Sequence, residues 1–310
     1  MKLTGLHLLL TYQCTLECSH CFVWGSPWQS GTLTLADIRR ILDQAQEVGT
    51  VTSIYFEGGE PFLYYPILLE GVREAARRGF EVGVVSNTYW ATSVEDALAW
   101  LEPMAGLVAD LSISSDLYHW DEAISRQATN ARLAAEKLGI PVGVISIAQP
   151  VATSAEASAE ASAGQLPLGE SAVMYRGRAA EALAGQAERR AWDQFAECPH
   201  EDLREPGRVH VDALGNLHIC QGISAGNILT TALSEICQAY DADRHPIIGP
   251  LLAGGPAELV RRYELPHAEG YVDACHLCYE ARRALRDRFP DILMPNQMYG
   301  ETLRSIQGST

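Results

Sequence analysis

Gly5-Leu6-His7-Leu8-Leu9-Leu10-Thr11-Tyr12-Gln13-Cys14-Thr15-Leu16-Glu17-Cys18-Ser19-His20-Cys21 is the stretch whose reading decides the fold. Gly5–Leu10 is a short apolar run that reads as a buried strand. Three cysteines follow it directly in a C-x₃-C-x₂-C spacing. Three thiolates on one tight loop can hold a metal or a cluster and leave one coordination position open. A structural zinc site normally closes with a fourth ligand, whereas a catalytic centre keeps a place for substrate. An iron–sulfur cube held at three irons has a fourth iron free to bind something else. On spacing alone a cluster, a zinc site and a coincidence all stand.

Working outward, strand-like runs recur on a regular beat at Gly5–Leu10, Val51–Phe56, Phe80–Val85, Leu107–Ile113, Pro141–Ile147 and Ala172–Arg176. Amphipathic segments lie between them. Thr34 and Asp37 form a capping box ahead of the stripe Leu35, Ile38, Ile41, Leu42, Ala45 and Val48, which Gly49 stops. Tyr64–Arg78 ends at Gly79, Ser93 caps a third segment, Asp121–Leu138 ends at Gly139, and Ala179–Ala196 closes the series. Repeated strand–helix units predict parallel strands joined by right-handed crossovers. Eight units would close a barrel. Six predict an α/β fold built as a partial (β/α)6, TIM-like barrel over residues 1–196. Sites in such folds sit at the C-terminal ends of the strands, where the cysteine loop lies. Residues 151–164 are Ala/Ser/Glu-rich and read as a loop, or as a lid over substrate.

After residue 197 the beat stops. Arg208–Cys220 alternates around Leu214-Gly215-Asn216 as a β-hairpin, and short helices are expected at Thr231–Tyr240, Ala257–Tyr263 and Tyr279–Phe289. Cys198, Cys220, Cys275 and Cys278 make a full ligand set within a small α+β module over 197–290, followed by a tail at 291–310. The C-x₂-C half alone would also suit zinc.

The chain has 310 residues, eight cysteines and a formal charge of −16. That charge argues against a general nucleic-acid binder and against docking on anionic membranes. No run approaches ~20 apolar residues, and no signal peptide is recognisable, so a cytoplasmic location is expected. Clustered cysteines in that compartment point to metal or catalysis rather than disulfides.

At the end of the second strand stands Tyr55-Phe56-Glu57-Gly58-Gly59-Glu60-Pro61. Two glycines let a ligand approach the backbone, and a carboxylate beside them can grip an ammonium group. C-x₃-C-x₂-C after strand one with Gly-Gly-Glu-Pro after strand two resembles the radical S-adenosylmethionine (radical SAM) superfamily, over Met1 to about Ala196. The resemblance implies a [4Fe–4S] cluster on Cys14, Cys18 and Cys21, with S-adenosyl-L-methionine on its free iron. It implies that Gly58, Gly59 and Glu60 contact the methionine amine and that His20 lines the adenine. Ser86 and Asn87, and Ser112 and Ser114, fall by topology where that family places polar contacts to the methionine moiety and ribose. The late cysteine set resembles the auxiliary-cluster modules called SPASM and Twitch. This implies one auxiliary [4Fe–4S] cluster on Cys198, Cys220, Cys275 and Cys278.

The resemblance implies reductive cleavage of S-adenosylmethionine and hydrogen abstraction from a substrate, with oxidation, crosslinking or epimerisation as the outcome. A reductant such as flavodoxin or ferredoxin is then expected. With no leader-recognition segment apparent at the N-terminus, a small molecule is preferred over a ribosomal peptide as substrate. Cys237, on a short helix, reads as a core thiol or as a hydrogen-atom donor. His119 and Asp121, after strand four, are candidates for substrate binding or proton transfer. Arg176 and Arg178 are candidates to clamp a carboxylate or phosphate. A reading from another class is a non-catalytic iron–sulfur or zinc scaffold, against which the Gly58–Glu60 turn speaks.

Overall fold

A computed structural model describes residues 1–150 and 170–301. The 151–164 segment therefore lies outside the described residues. Five parallel strands and four helices come first: β1 (Gly5–Thr11), α1 (Leu35–Val48), β2 (Ser53–Gly58), α2 (Tyr65–Arg77), β3 (Glu81–Ser86), α3 (Val94–Leu101), β4 (Asp110–Ser114), α4 (Arg126–Leu138) and β5 (Val142–Ile145). All seven residues of β1 are buried. It is a central strand covered on both faces, which is why its apolar run is nearly continuous. The capping box forms as the sequence predicts: Thr34 accepts from the Asp37 amide, and Asp37 accepts from the Thr34 amide. Ile38, Ile41, Leu42 and Ala45 pack inward from α1. Each of the three larger side chains, Ile38, Ile41 and Leu42, contributes on the order of 1.5–3 kcal/mol by burial.

Three expectations are corrected. The fourth helix starts at Arg126 rather than Asp121, because Ser125 accepts the Ala128 amide and sets the N-cap there. The sixth strand, Ala172–Arg176, forms no ladder; the parallel bridge Ile147–Ser171 marks its place. Its amides are taken elsewhere: Tyr175 donates to Asp273 (3.1 Å) and Arg176 to the Met174 carbonyl (2.7 Å). The helix expected over 179–196 shrinks to α5 (Arg178–Ala182). Downstream, β6 (Arg190–Ala191) pairs antiparallel with β10 (Gly270–Tyr271), so tertiary pairing overrides local helix preference.

The hairpin is present as β7 (Arg208–Val211) and β8 (Asn216–Cys220), with β9 (Ile223–Asn227) beyond it. It does not stand apart from the barrel. β7 pairs parallel with β1 (Gly5–Arg208 through Leu8–Val211), giving one eight-stranded sheet in the order β5-β4-β3-β2-β1-β7-β8-β9. Buried Asp212 fixes the turn: it accepts from the Leu214 and Asn216 amides, the Asn216 side chain, the Tyr12 hydroxyl (2.9 Å) and His218 Nε2.

The remaining helices are α6 (Leu233–Ala239), α7 (Ile248–Tyr263), broken at Gly254–Gly255 ahead of Pro256, and α8 (Ala274–Leu285). The described part of the expected tail packs into the body. Leu293, Met298 and Tyr299 are buried, and Tyr299 stacks on Tyr279 and donates to the Gly222 carbonyl. Among the described residues no helix is long and apolar enough to cross a membrane.

Candidate active site at the C-terminal ends of the strands

A cavity of about 660 Å³ opens at the C-terminal ends of β1–β5 and runs down between the strands. Cys14, Cys18 and Cys21 line it, together with His20, Gly58, Gly59, Ser86, Asn87, Ser112, Ser114 and His119. Thus most of the side chains nominated from sequence do converge on one space.

The cysteine loop is held by its own backbone and by two outside groups. The Leu16 amide donates to Cys14 Sγ (3.4 Å) and the Gly25 amide to Cys21 Sγ (3.2 Å). The Asn87 side chain donates to Cys14 Sγ (3.4 Å) and Thr15 Oγ1 (3.1 Å). Arg178 is buried. It donates to the carbonyls of Cys18 (2.7 Å) and Gly25 (2.9 Å) and lies over the Trp24 ring. Its guanidinium grips the loop's backbone, so it is a positioning residue for the thiols rather than a free clamp for an anion. Burial lifts the Cys14 thiol to about 12, with Leu16 opposing and Glu60 adding, and raises Cys18 as well. Buried thiols of this kind ionise only when a metal or cluster supplies positive charge.

The Gly58–Gly59 turn owes its composition to a close approach. A Cβ on Gly58 would stand 2.4 Å from the Thr11 carbonyl oxygen, and one on Gly59 2.0 Å from that of Gln13. Gly59 and Glu60 donate their amides to those same carbonyls (2.7 and 2.8 Å). The glycines therefore splice β2 onto the cysteine loop, and their backbone faces the cavity. Glu60 does not face it. Its carboxylate is fully buried and accepts from the Phe62 amide (3.1 Å), Ser86 Oγ (2.9 Å) and the Asn87 amide (2.7 Å). Burial raises its carboxyl to about 7, against the pull of those three donors. Glu60 thus ties β2 to β3, and Ser86 spends its hydroxyl on Glu60.

After β4, buried Asp116 organises the loop by accepting from the Tyr118, His119 and Ile147 amides and from His119 Nδ1 (2.7 Å). His20 lies against Tyr118 (4.7 Å between centroids) and His119 (5.0 Å). Burial and the nearby His119 lower His20 to about 4, and its buried Nδ1 has no partner. A neutral ring with an unused nitrogen at the cavity wall suits an aromatic nitrogenous ligand. Asp121 is exposed and is not among the residues lining the cavity. The sequence offered two aspartates five residues apart, and only burial tells them apart.

Cys237 does not line the cavity. It is a buried core residue on α6, and its carbonyl accepts from the Met1 amine (2.8 Å). Met1 precedes β1, so this thiol sits at the end of the strands opposite the cysteine loop.

Cys198, Cys220, Cys275 and Cys278 line a second pocket with Arg176, Glu201 and Arg282. Cys220 ends β8, and Cys275 and Cys278 sit on the first turns of α8, whose N-cap is Asp273. Burial lifts the Cys278 thiol to about 11 against the pull of Arg282, and raises Cys275 and Cys198. Arg282 is fully buried and donates to the Gln221 and Cys278 carbonyls. Arg176 lines both pockets, bonding Glu201 (3.1 Å) and Cys220 Sγ (3.5 Å), with Nε unpartnered. It stands in the wall between the two cysteine sets.

Among the described residues, the His/Cys/Asp/Glu groups whose ligand atoms all lie within 4.8 Å of one another are His7–Glu57–His210 and His20–Asp116–His119; neither cysteine set is among them. The sequence reading missed His7, Glu57, His210 and Asp116. For the first three a signal existed: His7 is a lone polar residue inside the apolar run of β1, and Glu57 and His210 stand on the half-buried faces of β2 and β7.

Residues 8–145, spanning β1 to β5, match the sequence profile of the Radical SAM superfamily. Over 111 residues the chain is 30% identical to the putative peptide biosynthesis protein YydG of Bacillus subtilis (strain 168), covering 36% of this chain and 35% of that protein. Over 107 residues it is 34% identical to the tungsten-containing aldehyde ferredoxin oxidoreductase cofactor-modifying protein of Pyrococcus furiosus, covering 34% and 28%. The chain thus spans about a third of the length of the curated relatives it matches. Among solved structures, BtrN in complex with AdoMet and 2-DOIA aligns at a TM-score of 0.49 and 13% identity, covering 89% of this chain and 92% of that one. SuiB of Streptococcus suis bound to precursor peptide SuiA aligns at a TM-score of 0.40 and 11% identity, covering 89% and 76%.

Proposed function

We propose that this chain is a radical SAM enzyme in which Cys14, Cys18 and Cys21 hold a [4Fe–4S] cluster at the mouth of the cavity. The observation that carries the reading is the convergence, on one cavity, of three thiols, the Gly58–Gly59 backbone and the unpartnered nitrogen of His20. The donor chemistry fits. Three thiols on one loop suit a cube held at three irons with its fourth iron open.

Held by Cys14, Cys18 and Cys21, such a cluster would supply the electron for reductive cleavage of S-adenosyl-L-methionine and so the means of hydrogen abstraction from substrate. The chain's own residues do the rest. Arg178, Asn87 and the Leu16 and Gly25 amides fix the thiols. The Gly58 and Gly59 backbone offers carbonyls for an ammonium group, a role the buried Glu60 carboxylate serves only by holding the turn. His20, Tyr118 and His119 form an aromatic wall for adenine. Ser112 and Ser114, which also line the cavity, offer polar contacts to the methionine moiety and ribose.

Residues 1–196 form the radical SAM unit. The module over 197–290 holds one auxiliary [4Fe–4S] cluster in a Twitch-like arrangement, with all four of its cysteines engaged. A cluster held there would supply an electron acceptor or shape the site, and Arg176 lines the pockets of both cysteine sets. The substrate is a small molecule or a peptide, and the net reaction is a dehydrogenation, crosslink or epimerisation. The peptide option draws on the name of the Bacillus subtilis relative. Anaerobic reconstitution tests the cluster assignment: about eight irons per chain are expected, falling to about four in Cys275→Ala/Cys278→Ala. Zinc in place of iron would overturn it.

A further inference from the structure

His7, Glu57 and His210 come from three adjacent strands. β1 pairs with β2 at His7–Tyr55 and with β7 at His7–His210, and Glu57 stands two residues past Tyr55 on the same face. All three side chains line the cavity. His7 is four residues before the end of β1, about 13 Å along the strand from it. His7 Nδ1 lies 3.2 Å and His210 Nε2 2.9 Å from the same oxygen, Glu57 Oε1. The rings are held by neighbours: His7 stacks on Tyr55 at 4.6 Å, and His210 meets Phe22 edge-on at 6.1 Å.

A first-row cation bound at about 2.0–2.2 Å to two imidazoles and one carboxylate sets N···O separations of about 2.9–3.4 Å at tetrahedral to octahedral angles. The two observed separations fall in that range. The donor set is also the one nitrogen-and-oxygen sites use for such cations, with coordination positions left on the cavity side.

We infer that His7, Glu57 and His210 form a binding site for a divalent first-row transition cation, open toward the cavity and able to take an oxygen of the substrate. The site does not depend on the radical reading, because its donors exclude every cysteine.

The test uses the full chain with its clusters reconstituted anaerobically and free iron removed. Mn²⁺ is the probe, since it prefers oxygen and nitrogen donors to thiolates, and free Mn²⁺ is counted by its six-line electron paramagnetic resonance signal. The expected result is saturable uptake of about one Mn²⁺ per chain, displaced by an equivalent of Zn²⁺ as the affinity order requires. Glu57→Gln and His210→Gln should each weaken uptake at least ~10-fold while keeping wild-type iron content and melting temperature. His119→Gln, which alters the other histidine–carboxylate group, should leave uptake unchanged. No saturable uptake by the wild-type chain up to millimolar Mn²⁺ would overturn the inference. So would uptake indifferent to both substitutions, or uptake lost in His119→Gln.

Discussion

Replacing Arg178 by methionine should loosen the cysteine loop without touching a cysteine. Methionine keeps most of the side chain's length and apolar bulk and removes the guanidinium. Two charge-assisted bonds disappear, to the Cys18 carbonyl at 2.7 Å and the Gly25 carbonyl at 2.9 Å. Bonds to charged groups contribute about 1.5–3 kcal/mol each, so the loop loses at least about 3 kcal/mol of local stability. At 1.4 kcal/mol per tenfold, its opening equilibrium rises on the order of 10²-fold. Hydrogen–deuterium exchange of the peptide spanning residues 14–25, read by mass spectrometry, reports that number. The Cys21 amide, bonded to the Cys18 carbonyl at 3.1 Å, is a direct reporter. Arg178→Lys, able to keep one bond, should fall between. Exchange of this peptide at the wild-type rate in Arg178→Met, with the rest of the chain also unchanged, would refute the positioning role.

Gly59→Ala should destabilise the chain by about 3 kcal/mol or more, seen as a drop in melting temperature, because its Cβ would meet the Gln13 carbonyl oxygen at 2.0 Å and backbone cannot give way cheaply. Glu60 titrates at about 7 in the fold against an ordinary 4.5. A raised carboxyl means that the native state holds the proton longer than the unfolded chain. Its contribution is therefore most favourable below pH 4.5, and about 3 kcal/mol is lost as pH rises through 7. Urea unfolding at pH 5 and pH 8 should show that loss in the wild type and not in Glu60→Gln; equal pH slopes would contradict it. Cys237→Ser should leave 5′-deoxyadenosine formation and substrate turnover at wild-type levels while costing about 1 kcal/mol of stability for a polar group in a core site. A loss of turnover with S-adenosylmethionine cleavage intact would restore the donor role.

Much of this was legible in the chain. The apolar run of β1 and the Thr34–Asp37 capping box act locally, so they read directly from sequence. The three-cysteine loop and the Gly58–Gly59 turn are short contiguous motifs whose meeting follows from two adjacent parallel strands. What failed depended on partners distant in sequence. Ala172–Arg176 carries strand-like residues, but Asp273, about a hundred residues on, takes the Tyr175 amide. Arg178 looked like an anion clamp because nothing near it in sequence shows the Cys18 and Gly25 carbonyls it meets. Asp116 and Asp121 are chemically alike, and only the loop's path buries one. His7, Glu57 and His210 each look like an isolated polar residue in a strand; strand register makes them a group. The hairpin read as part of a separate module, yet β7 joins β1 edge to edge, because β1 would otherwise be an unpaired edge of the parallel strands β1–β5.

Radical generation at the Cys14–Cys21 loop, and not at the four-cysteine pocket, is tested by 5′-deoxyadenosine formed from S-adenosylmethionine in the reconstituted, dithionite-reduced protein. The wild type should form it, Cys14→Ala, Cys18→Ala and Cys21→Ala should form none, and Cys275→Ala/Cys278→Ala should still form it. No cleavage by the wild type with both clusters in place, or cleavage that survives loss of Cys18, would contradict it.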